Sequence, residues 1–255
     1  MKLRVLGCSG GIGADLRTTS LLIDDDILID AGTGVSELSL EEMSKIRHVF
    51  LTHSHLDHIT CLPLMVDSIF ELILKQPITI YSQQATIEAL HKHIFNWAIW
   101  PDFATLPTSD NPVMKYQVLT PGEVVTINER KVELIPVNHI VPAAGYRVEC
   151  NGRSFAFSGD TAENDTLWNA LNAHKGLDLL LVEAAFSNAD EQLSLKARHY
   201  CPKILAGDLL KLKHNPDIYI THNKPGGEEI IFQECQDAIK DRKLFHLRGN
   251  QEFNI

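Results

Sequence analysis

The sequence predicts an α/β fold, a four-layer αββα sandwich in which two β-sheets face each other and helices cover both outer faces. Two observations lead to this prediction. The chain contains two groups of strands, each followed by helices, and the side chains that could bind a metal come directly after strands. With 255 residues, 44% of them hydrophobic, the chain can bury a substantial core, and we expect one domain over residues 1–255.

The first group of strands begins at the first residues of the chain. Lys2–Gly7 is predicted to form a strand that leads into a glycine-rich loop over residues 7–13. The loop is not a dinucleotide-binding fingerprint, because a strand follows it where that motif requires a helix. Ser20–Ile23 and Ile27–Ile29 are predicted to form a hairpin around a turn of three aspartates.

A capping box opens the first predicted helix. Ser39 and Glu42 stand three residues apart, the spacing at which each side chain can satisfy a backbone N–H group of the other residue. The next elements are a helix ending at residue 46, a strand over 48–52, a helix over 60–74, a strand over 78–81 and an amphipathic helix over 83–98. His91 and His93 lie in the last of these helices, and we expect them to pack or to face solvent.

Four aromatic side chains fall within the nine residues 95–103. The favoured interpretation is that they pack as a small core under a long loop. They would also suit an apolar wall for a base or another planar group, or a contact between two copies of the chain. These interpretations are compatible, and the sequence leaves them open.

The second group of strands contains alternating apolar and polar residues and a tight Asn-Gly turn. The predicted strands cover residues 113–119, 123–127, 131–137, 145–150, 154–157 and 177–182, with a final strand that begins at Asp217 and ends at His222. The predicted helices cover residues 167–171, 187–198, a segment ending at 213, and 226–240. We find no chemistry in residues 244–255.

Composition narrows the classes of function. The formal net charge is −10, and the chain has no run of Lys or Arg, so an extended nucleic-acid surface is not expected. The five cysteines are scattered and never form C-x-x-C, which argues against a disulfide framework. No stretch has the length of a membrane span. We therefore expect a cytoplasmic protein that does not contact a membrane.

The six residues from His53 to His58 contain four side chains that can bind a metal. They follow an apolar strand, and residues two apart on a strand point the same way, so His53 and His55 can bind one ion. The turn that follows can direct Asp57 and His58 towards a second ion. Imidazole together with carboxylate suits zinc, iron or manganese. The alternative, surface histidines with a capping aspartate, explains four such residues at this spacing poorly.

The motif H-x-H-x-D-H resembles the signature of the metallo-β-lactamase superfamily. The longer string from His53 to Ile59 is similar to the class II cyclic-nucleotide phosphodiesterase branch, although Cys61 stands where that branch usually has glycine. The resemblance implies the metallo-β-lactamase sandwich, in which Asp30 braces the metal-binding loop. It also implies a glycine loop beside the site and a homodimer.

Further residues are assigned by the same resemblance, each at the end of a predicted strand or helix. The implied metal ligands are His53, His55 and His139 for one ion, Asp57, His58 and His222 for a second, and Asp160 as a bridge between them. Asp57 would orient a metal-bridging hydroxide. His199 resembles a histidine that binds phosphate or protonates the leaving oxygen, although Arg198 replaces the usual glycine before it. The implied reaction is hydrolysis of a small phosphodiester, with a 3′,5′-cyclic nucleotide favoured, by two divalent ions, zinc first and manganese or iron next.

Four other functions remain open at this point. A tRNA 3′-endonuclease shares the motif but carries a protruding basic arm, and no Gly/Lys-rich insertion is present. A thioesterase of the glyoxalase II type needs an added helical domain that this length hardly accommodates. A lactonase would use the same ligands on a carbon ester. A metal-binding protein without catalysis is the alternative from another class, and the complete ligand set argues against it.

Overall fold

The apolar runs of the sequence form two seven-stranded sheets and one two-stranded ribbon. The computed structural model describes all 255 residues. In chain order the strands are β1 (Lys2–Gly7), β2 (Ser20–Ile23), β3 (Ile27–Ile29), β4 (His48–Phe50), β5 (Ile78–Ser82), β6 (Pro107–Thr108), β7 (Asn111–Pro112), β8 (Met114–Val118), β9 (Val124–Ile127), β10 (Arg130–Val137), β11 (Ala143–Cys150), β12 (Arg153–Phe157), β13 (Leu179–Glu183), β14 (Asp217–Thr221), β15 (Leu244–His246) and β16 (Glu252–Asn254).

The helices are short and fall into two groups, one before and one after the middle of the chain. They are α1 (Leu40–Met43), α2 (Leu56–Ile59), α3 (Leu62–Ser68), α4 (Phe70–Ile73), α5 (Gln84–His93), α6 (Thr166–Ala173), α7 (Glu191–Ala197), α8 (Pro202–Leu209) and α9 (Glu228–Ala238), with 3-10 turns at Thr33–Glu37 and Asn188–Asp190. None of them combines the length and the hydropathy that a membrane-spanning helix requires.

The first sheet has the strand order β16-β1-β2-β3-β4-β5-β8, and the second has the order β15-β14-β13-β12-β11-β10-β9. In the second sheet β12, β13 and β14 run parallel, and β10 runs in the same direction because β11 is antiparallel to both of its neighbours. The carboxyl ends of β10, β12, β13 and β14 therefore lie at one edge of the sheet. A backbone hydrogen bond from Ala144 to Thr52 (N···O 3.0 Å) joins this edge to the segment after β4.

Alternating side chains on the strands build three buried layers of apolar residues. In β13, Leu179 and Leu181 point between the two sheets, whereas Leu180 and Val182 point towards a layer shared with helices α6, α8 and α9. In the first sheet, Leu22 packs outwards against residues of α3 and α5, and its neighbours on β2 pack inwards. Because both faces of each sheet are buried at its centre, the central strands β2, β3 and β13 are apolar nearly throughout, whereas β8, β9 and β10 towards the edges alternate buried and exposed residues. The predicted αββα sandwich is confirmed.

The structure corrects several predicted elements. The strand at Met114–Val118, predicted in the second group, pairs in parallel with β5 and forms an edge of the first sheet. The helix predicted over residues 60–74 consists of separate short helices, α3 and α4, which meet at Ile69. The helix predicted to reach residue 98 ends at His93. Strands β15 and β16 were not predicted, because three-residue edge strands carry too little periodicity to detect.

The capping box and the two predicted hairpins are confirmed. Ser39 accepts a hydrogen bond from the Glu42 backbone, and the Glu42 side chain accepts one from the Ser39 backbone. The helix that it opens is a single turn and ends at Met43 rather than at residue 46. The tight turn at Asn151-Gly152 joins β11 to β12, and both residues have positive φ, as such a turn requires.

Candidate metal centre

The candidate site lies where strand ends of the two sheets meet. After β4 the chain continues through Thr52 to His53, and His55 is the residue that precedes the single turn of α2. That turn carries Asp57 and His58 on adjacent positions. From the second sheet, His139 follows β10, Asp160 follows β12 and His222 follows β14.

The structure brings all seven predicted ligand residues together in two clusters. Within each cluster one potential ligand atom per residue lies within 4.8 Å of the others. The first cluster contains His53, His55, His139 and Asp160, and the second contains Asp57, His58, Asp160 and His222. The grouping is the one that the sequence analysis expects, with Asp160 common to both clusters. That these residues bind metal stays a prediction.

The ring nitrogens of the buried histidines converge on the Asp160 carboxylate. Asp160 Oδ2 lies 3.2 Å from His58 Nε2, 3.3 Å from His222 Nε2 and 3.7 Å from His53 Nε2. These three nitrogens and Asp160 Oδ1 are buried and have no hydrogen-bond partner of good geometry in the protein. A buried polar atom without a partner costs about 1–3 kcal/mol, and several of them facing one point fit a bound cation. The donor set of imidazoles and one shared carboxylate suits divalent metal ions.

Most of the imidazoles are held in the neutral form that binds a metal. Burial lowers the pKa of His53 well below its ordinary value, and it lowers the pKa of His139 to about 4 and that of His222 to about 3. A neutral imidazole has one ring nitrogen with a free lone pair, and the partner of the other nitrogen decides which one it is. His139 Nδ1 lies 2.9 Å from the Arg198 carbonyl oxygen, so it carries the proton and leaves Nε2 for the site.

His58 and Asp160 form the charged part of the clusters. Burial by itself lowers the pKa of His58, but the carboxylates of Asp160 and Asp30 outweigh it and raise this pKa well above its ordinary value. Burial by itself raises the pKa of Asp160, but His222 and His58 hold it well below its ordinary value. The site thus keeps a negative carboxylate in a fully buried position, which requires a positive charge beside it.

Asp30 orients His58 from behind, as the resemblance implied for this residue. Its Oδ2 atom accepts a hydrogen bond from His58 Nδ1 at 2.7 Å, and its Oδ1 atom accepts one from the Thr52 backbone N–H at 2.8 Å. The Thr52 hydroxyl lies 2.9 Å from Asp30 Oδ2 and 3.0 Å from His53 Nδ1. Thr52 was not predicted as part of the site, although its place directly before His53 was a signal for such a role.

Backbone conformation and close packing at the site explain why glycine occupies two positions. Gly159 has φ +60, and a Cβ atom there would lie 2.5 Å from the Ala144 carbonyl oxygen, so no other residue fits before Asp160. A Cβ atom on Gly10 would lie 2.5 Å from the His222 carbonyl oxygen and 3.1 Å from its ring. The glycine-rich loop therefore packs directly on one of the candidate ligands.

His199 stands beside the clusters and is paired with a buried carboxylate. Its Nδ1 atom lies 2.8 Å from Glu183 Oε1, and its ring is 4.9 Å from the ring of His139 and 5.5 Å from that of His222. Burial by itself lowers the pKa of His199, but Glu183 outweighs it and raises this pKa above its ordinary value. Asp160, Glu183 and His199 also offer atoms within 4.8 Å of one another, so His199 borders the shared carboxylate.

The role of Glu183 in the site was predicted only in part from the sequence. The resemblance to the superfamily implies only that an acidic residue stands at this position, near the rim of the site. In the structure it is fully buried at the end of β13 and accepts hydrogen bonds from the backbone N–H groups of Thr161 and Ala185 as well as from His199. It thereby ties the segment after Asp160 to His199. A carboxylate that ends a buried strand was the signal for this role.

The aromatic stretch and the helix histidines lie outside the clusters. Phe95 and Phe103 are buried in the apolar layer under α3 and α5, which confirms the packing interpretation for these two residues. Trp97 is 63% exposed, and nothing in the structure assigns it a ligand. His91 packs against Tyr116 with ring centres 4.4 Å apart, as expected of a packing histidine.

A buried carboxylate shared by two histidine-containing clusters, at the rim of two facing sheets, is an arrangement that fits a metal-dependent hydrolase. Comparison with known proteins agrees with this class. Residues 25–222 match the family model described as the beta-lactamase superfamily domain. The chain belongs to this superfamily.

Similar proteins include two kinds of phosphodiester-cleaving enzyme. The chain is 27% identical over 225 residues to a probable 3′,5′-cyclic-nucleotide phosphodiesterase of Yersinia pestis, covering 76% of this chain and 60% of that protein. It is 30% identical over 155 residues to ribonuclease Z of Methanococcus maripaludis, covering 57% of this chain and 48% of that protein. The chain thus spans about 60% of the length of the first of these relatives.

Solved structures share the fold over nearly the whole chain. The crystal structure of unliganded yeast PDE1 superposes with a TM-score of 0.83 at 19% identity, covering 98% of both chains. The metallo-beta-lactamase fold protein YhfI of Bacillus subtilis superposes with a TM-score of 0.78 at 18% identity, covering 99% of this chain and 98% of that one. At these identities the likeness establishes the fold.

Proposed function

We propose that the protein is a dinuclear-metal phosphodiesterase that hydrolyses a small phosphodiester, with a 3′,5′-cyclic nucleotide as the favoured substrate. The observation that carries the proposal is the Asp160 carboxylate, which is shared by two histidine clusters and bordered by the His199–Glu183 pair. Zinc is the favoured metal because the two clusters contain five imidazoles around one shared carboxylate; manganese and iron accept the same donors.

The two clusters supply the chemistry that a phosphodiester requires. Two divalent ions held there would lower the pKa of a water and offset the negative charge of a phosphate. Asp57 is 28% exposed at the side chain, unlike the buried members of its cluster, so it can accept a hydrogen bond from a water nucleophile and orient it. The other carboxylate, Asp160, stays fixed among the imidazoles.

In this proposal His199 protonates the leaving oxygen. Its raised pKa means that a larger fraction of the side chain is protonated at neutral pH than for an ordinary histidine. Glu183 holds Nδ1–H, so Nε2–H is the proton available to a substrate. An alkoxide is a poor leaving group, and donation of a proton to it contributes about 10²–10⁴-fold to a rate.

Phosphorus esters are favoured over carbon esters by the relatives and by the proton donor. Several relatives are named 3′,5′-cyclic-nucleotide phosphodiesterase or ribonuclease Z, and both names describe cleavage of phosphodiesters. A second candidate is therefore an endonuclease acting on RNA, supported by the ribonuclease Z relatives. The net charge of −10 disfavours it, because RNA binding requires cations that neutralise many phosphates.

The first test is turnover by the purified protein after its metal content has been measured. Two substrates are compared: 3′,5′-cyclic AMP and the generic diester bis(p-nitrophenyl) phosphate, each before and after chelation and after addition of zinc or manganese. Cleavage of both, abolished by chelation and restored by metal, supports the proposal. Cleavage of the generic diester alone keeps phosphodiester chemistry and removes the cyclic nucleotide.

The same preparation separates the remaining functions. Cleavage of a labelled precursor RNA in preference to both small diesters would favour the endonuclease. Two bound metals without turnover of any phosphodiester would contradict the proposal, and thioesters and lactones would then be tested. Metal binding without turnover of any ester would identify a protein that binds metal without catalysis.

A further inference from the structure

Arg198 has a backbone conformation that favours glycine. It is the residue that directly follows α7, and its φ is +54. Eight non-glycine residues in the chain have positive φ, and five of them are Asp or Asn, whose short polar side chains tolerate this region. The other three are Trp97, Arg198 and His222, and the last is a candidate metal ligand. Glycine would adopt this conformation without strain, whereas arginine does so at a cost in free energy. Strained residues of this kind cluster at functional sites, which indicates that the Arg198 side chain has a functional role.

The Arg198 side chain is anchored beside the metal centre by one of its five N–H donors. Nη1 donates to the His139 carbonyl oxygen at 2.9 Å, and the Arg198 carbonyl oxygen accepts from His139 Nδ1 at 2.9 Å. The guanidinium forms no ion pair with any carboxylate of the chain, and the residue is exposed. Its remaining N–H donors are therefore free to bind an anion in the fork geometry that guanidinium offers to phosphate.

The backbone that anchors this charge belongs to one of the candidate metal ligands. The ring of His139, on whose backbone the guanidinium rests, is 4.9 Å from the rings of both His55 and His199. A simple phosphodiester carries one negative charge. Two divalent ions together with the carboxylates of Asp57 and Asp160 and one hydroxide would leave about one positive charge, which already matches it. An additional unpaired cation at the rim, in a chain with a net charge of −10, matches an additional anionic group.

We propose that Arg198 binds a second phosphate group of the substrate, so that the protein selects phosphodiesters that also carry a phosphate monoester. This inference rests on the proposed phosphodiesterase function and names the substrate class of the same site. It makes Arg198 a specificity-determining residue that contacts the substrate away from the bond that is cleaved.

Binding measurements test the proposal without turnover. Calorimetry compares thymidine 3′,5′-bisphosphate with thymidine 5′-monophosphate on protein that carries the metal content found after purification. We expect the bisphosphate to bind more tightly and Arg198→Gly to lower the ratio of the two affinities about tenfold. Glycine relieves the strained φ, so this variant should melt at the same temperature or higher. Lys196→Ala is the matched control, because it removes one positive charge from an exposed residue of α7, two positions before Arg198, and should leave the ratio unchanged.

Two outcomes would overturn the proposal. A wild-type protein with no preference for the bisphosphate has no site for a second phosphate. An Arg198→Gly variant that loses metal, or that loses affinity for both nucleotides equally, would show that Arg198 only positions His139. Arg198→Lys, which keeps the charge but not the fork, should retain part of the preference.

A matched pair of chromogenic esters keeps this proposal separate from the phosphodiesterase proposal. Thymidine 5′-(p-nitrophenyl phosphate) and its 3′-phosphorylated derivative release the same product from the same bond. A higher kcat/KM for the second ester, lost in Arg198→Gly, supports both proposals. Turnover without preference contradicts only the role of Arg198. An Arg198-dependent binding preference without turnover of either ester leaves that role intact and contradicts only the proposed activity.

Discussion

Replacement of Asp30 by asparagine should weaken one metal site and spare the other. Asp30 is fully buried, and its φ of +58 suits asparagine as well as aspartate, so the change is almost isosteric and introduces no strain. The Thr52 backbone N–H needs an acceptor at the Oδ1 position, so the new amide oxygen must stay there. The new NH2 group then faces His58 Nδ1.

The expected magnitude follows from the tautomer of His58. A donor at the position of Asp30 Oδ2 makes Nδ1 an acceptor, and the proton moves to Nε2, the atom that faces the second cluster. Loss of a hydrogen-bond partner that orients a metal-binding histidine lowers metal affinity by about 10–100-fold. This corresponds to about 1.4–2.8 kcal/mol of binding free energy. The cluster of His53, His55, His139 and Asp160 does not include His58. The Thr52 hydroxyl beside His53 can still donate to the oxygen at the Oδ1 position, so this cluster should keep its affinity.

The assay is titration of metal-free protein with zinc in competition with a chromophoric chelator. Wild-type protein should show two sites, and Asp30→Asn should show one unchanged site and one weakened site. Asp25→Asn is the matched control, since it removes the same charge from an exposed position on the nearby hairpin turn. Two sites of wild-type affinity in Asp30→Asn would refute the reasoning, and equal weakening of both would show that the two clusters act as one unit.

Three further predictions concern the centre itself. Asp160→Ala should lose metal and activity together, because both clusters share this carboxylate. Elemental analysis and turnover measurements test this prediction. A metal-free variant that is fully active would rule out the bridging role. His199→Ala should keep both metals and lower kcat by about 10²–10⁴-fold; loss of metal in this variant would argue against a role as proton donor. Removal of the metal by a chelator should lower the melting temperature of the protein. A ligand present at about 1,000 times its Kd contributes about 4 kcal/mol to the free energy of unfolding. An unchanged melting curve would mean that the clusters do not hold metal in the native protein.

The order and type of most elements could be predicted from the sequence. Apolar runs bounded by glycine, proline and aspartate predicted the strands that form the centre of both sheets, and the capping box at Ser39 predicted the start of α1. Membership of a sheet could not be predicted. Met114–Val118 is followed closely by strands of the second sheet, yet it pairs with β5 in the first, because that pairing depends on how α5 packs across the sheet.

For the candidate site too, one part could be predicted from the sequence and another part could not. The residue types that bind metal are local information, so six residues from His53 to His58 sufficed to predict a metal centre, and strand ends pointed to its other members. The outer contacts are not local. Thr52, Glu183 and the Arg198 carbonyl oxygen orient histidines only because separate strand ends meet at one rim.

The sequence by itself thus determined the αββα class of fold and the metal-binding motif from His53 to His58, because strand periodicity and ligand chemistry are both encoded in short segments. The other three ligand residues and the shared position of Asp160 came from the resemblance to the superfamily. Only the tertiary structure decided that all seven side chains converge, that His199 is paired with Glu183, and that the Arg198 guanidinium is unpaired beside His139. These facts are distances between residues far apart in the chain. They are set by the packing of two sheets, whose apolar layers fill the space between and outside them and leave the polar groups together at one edge.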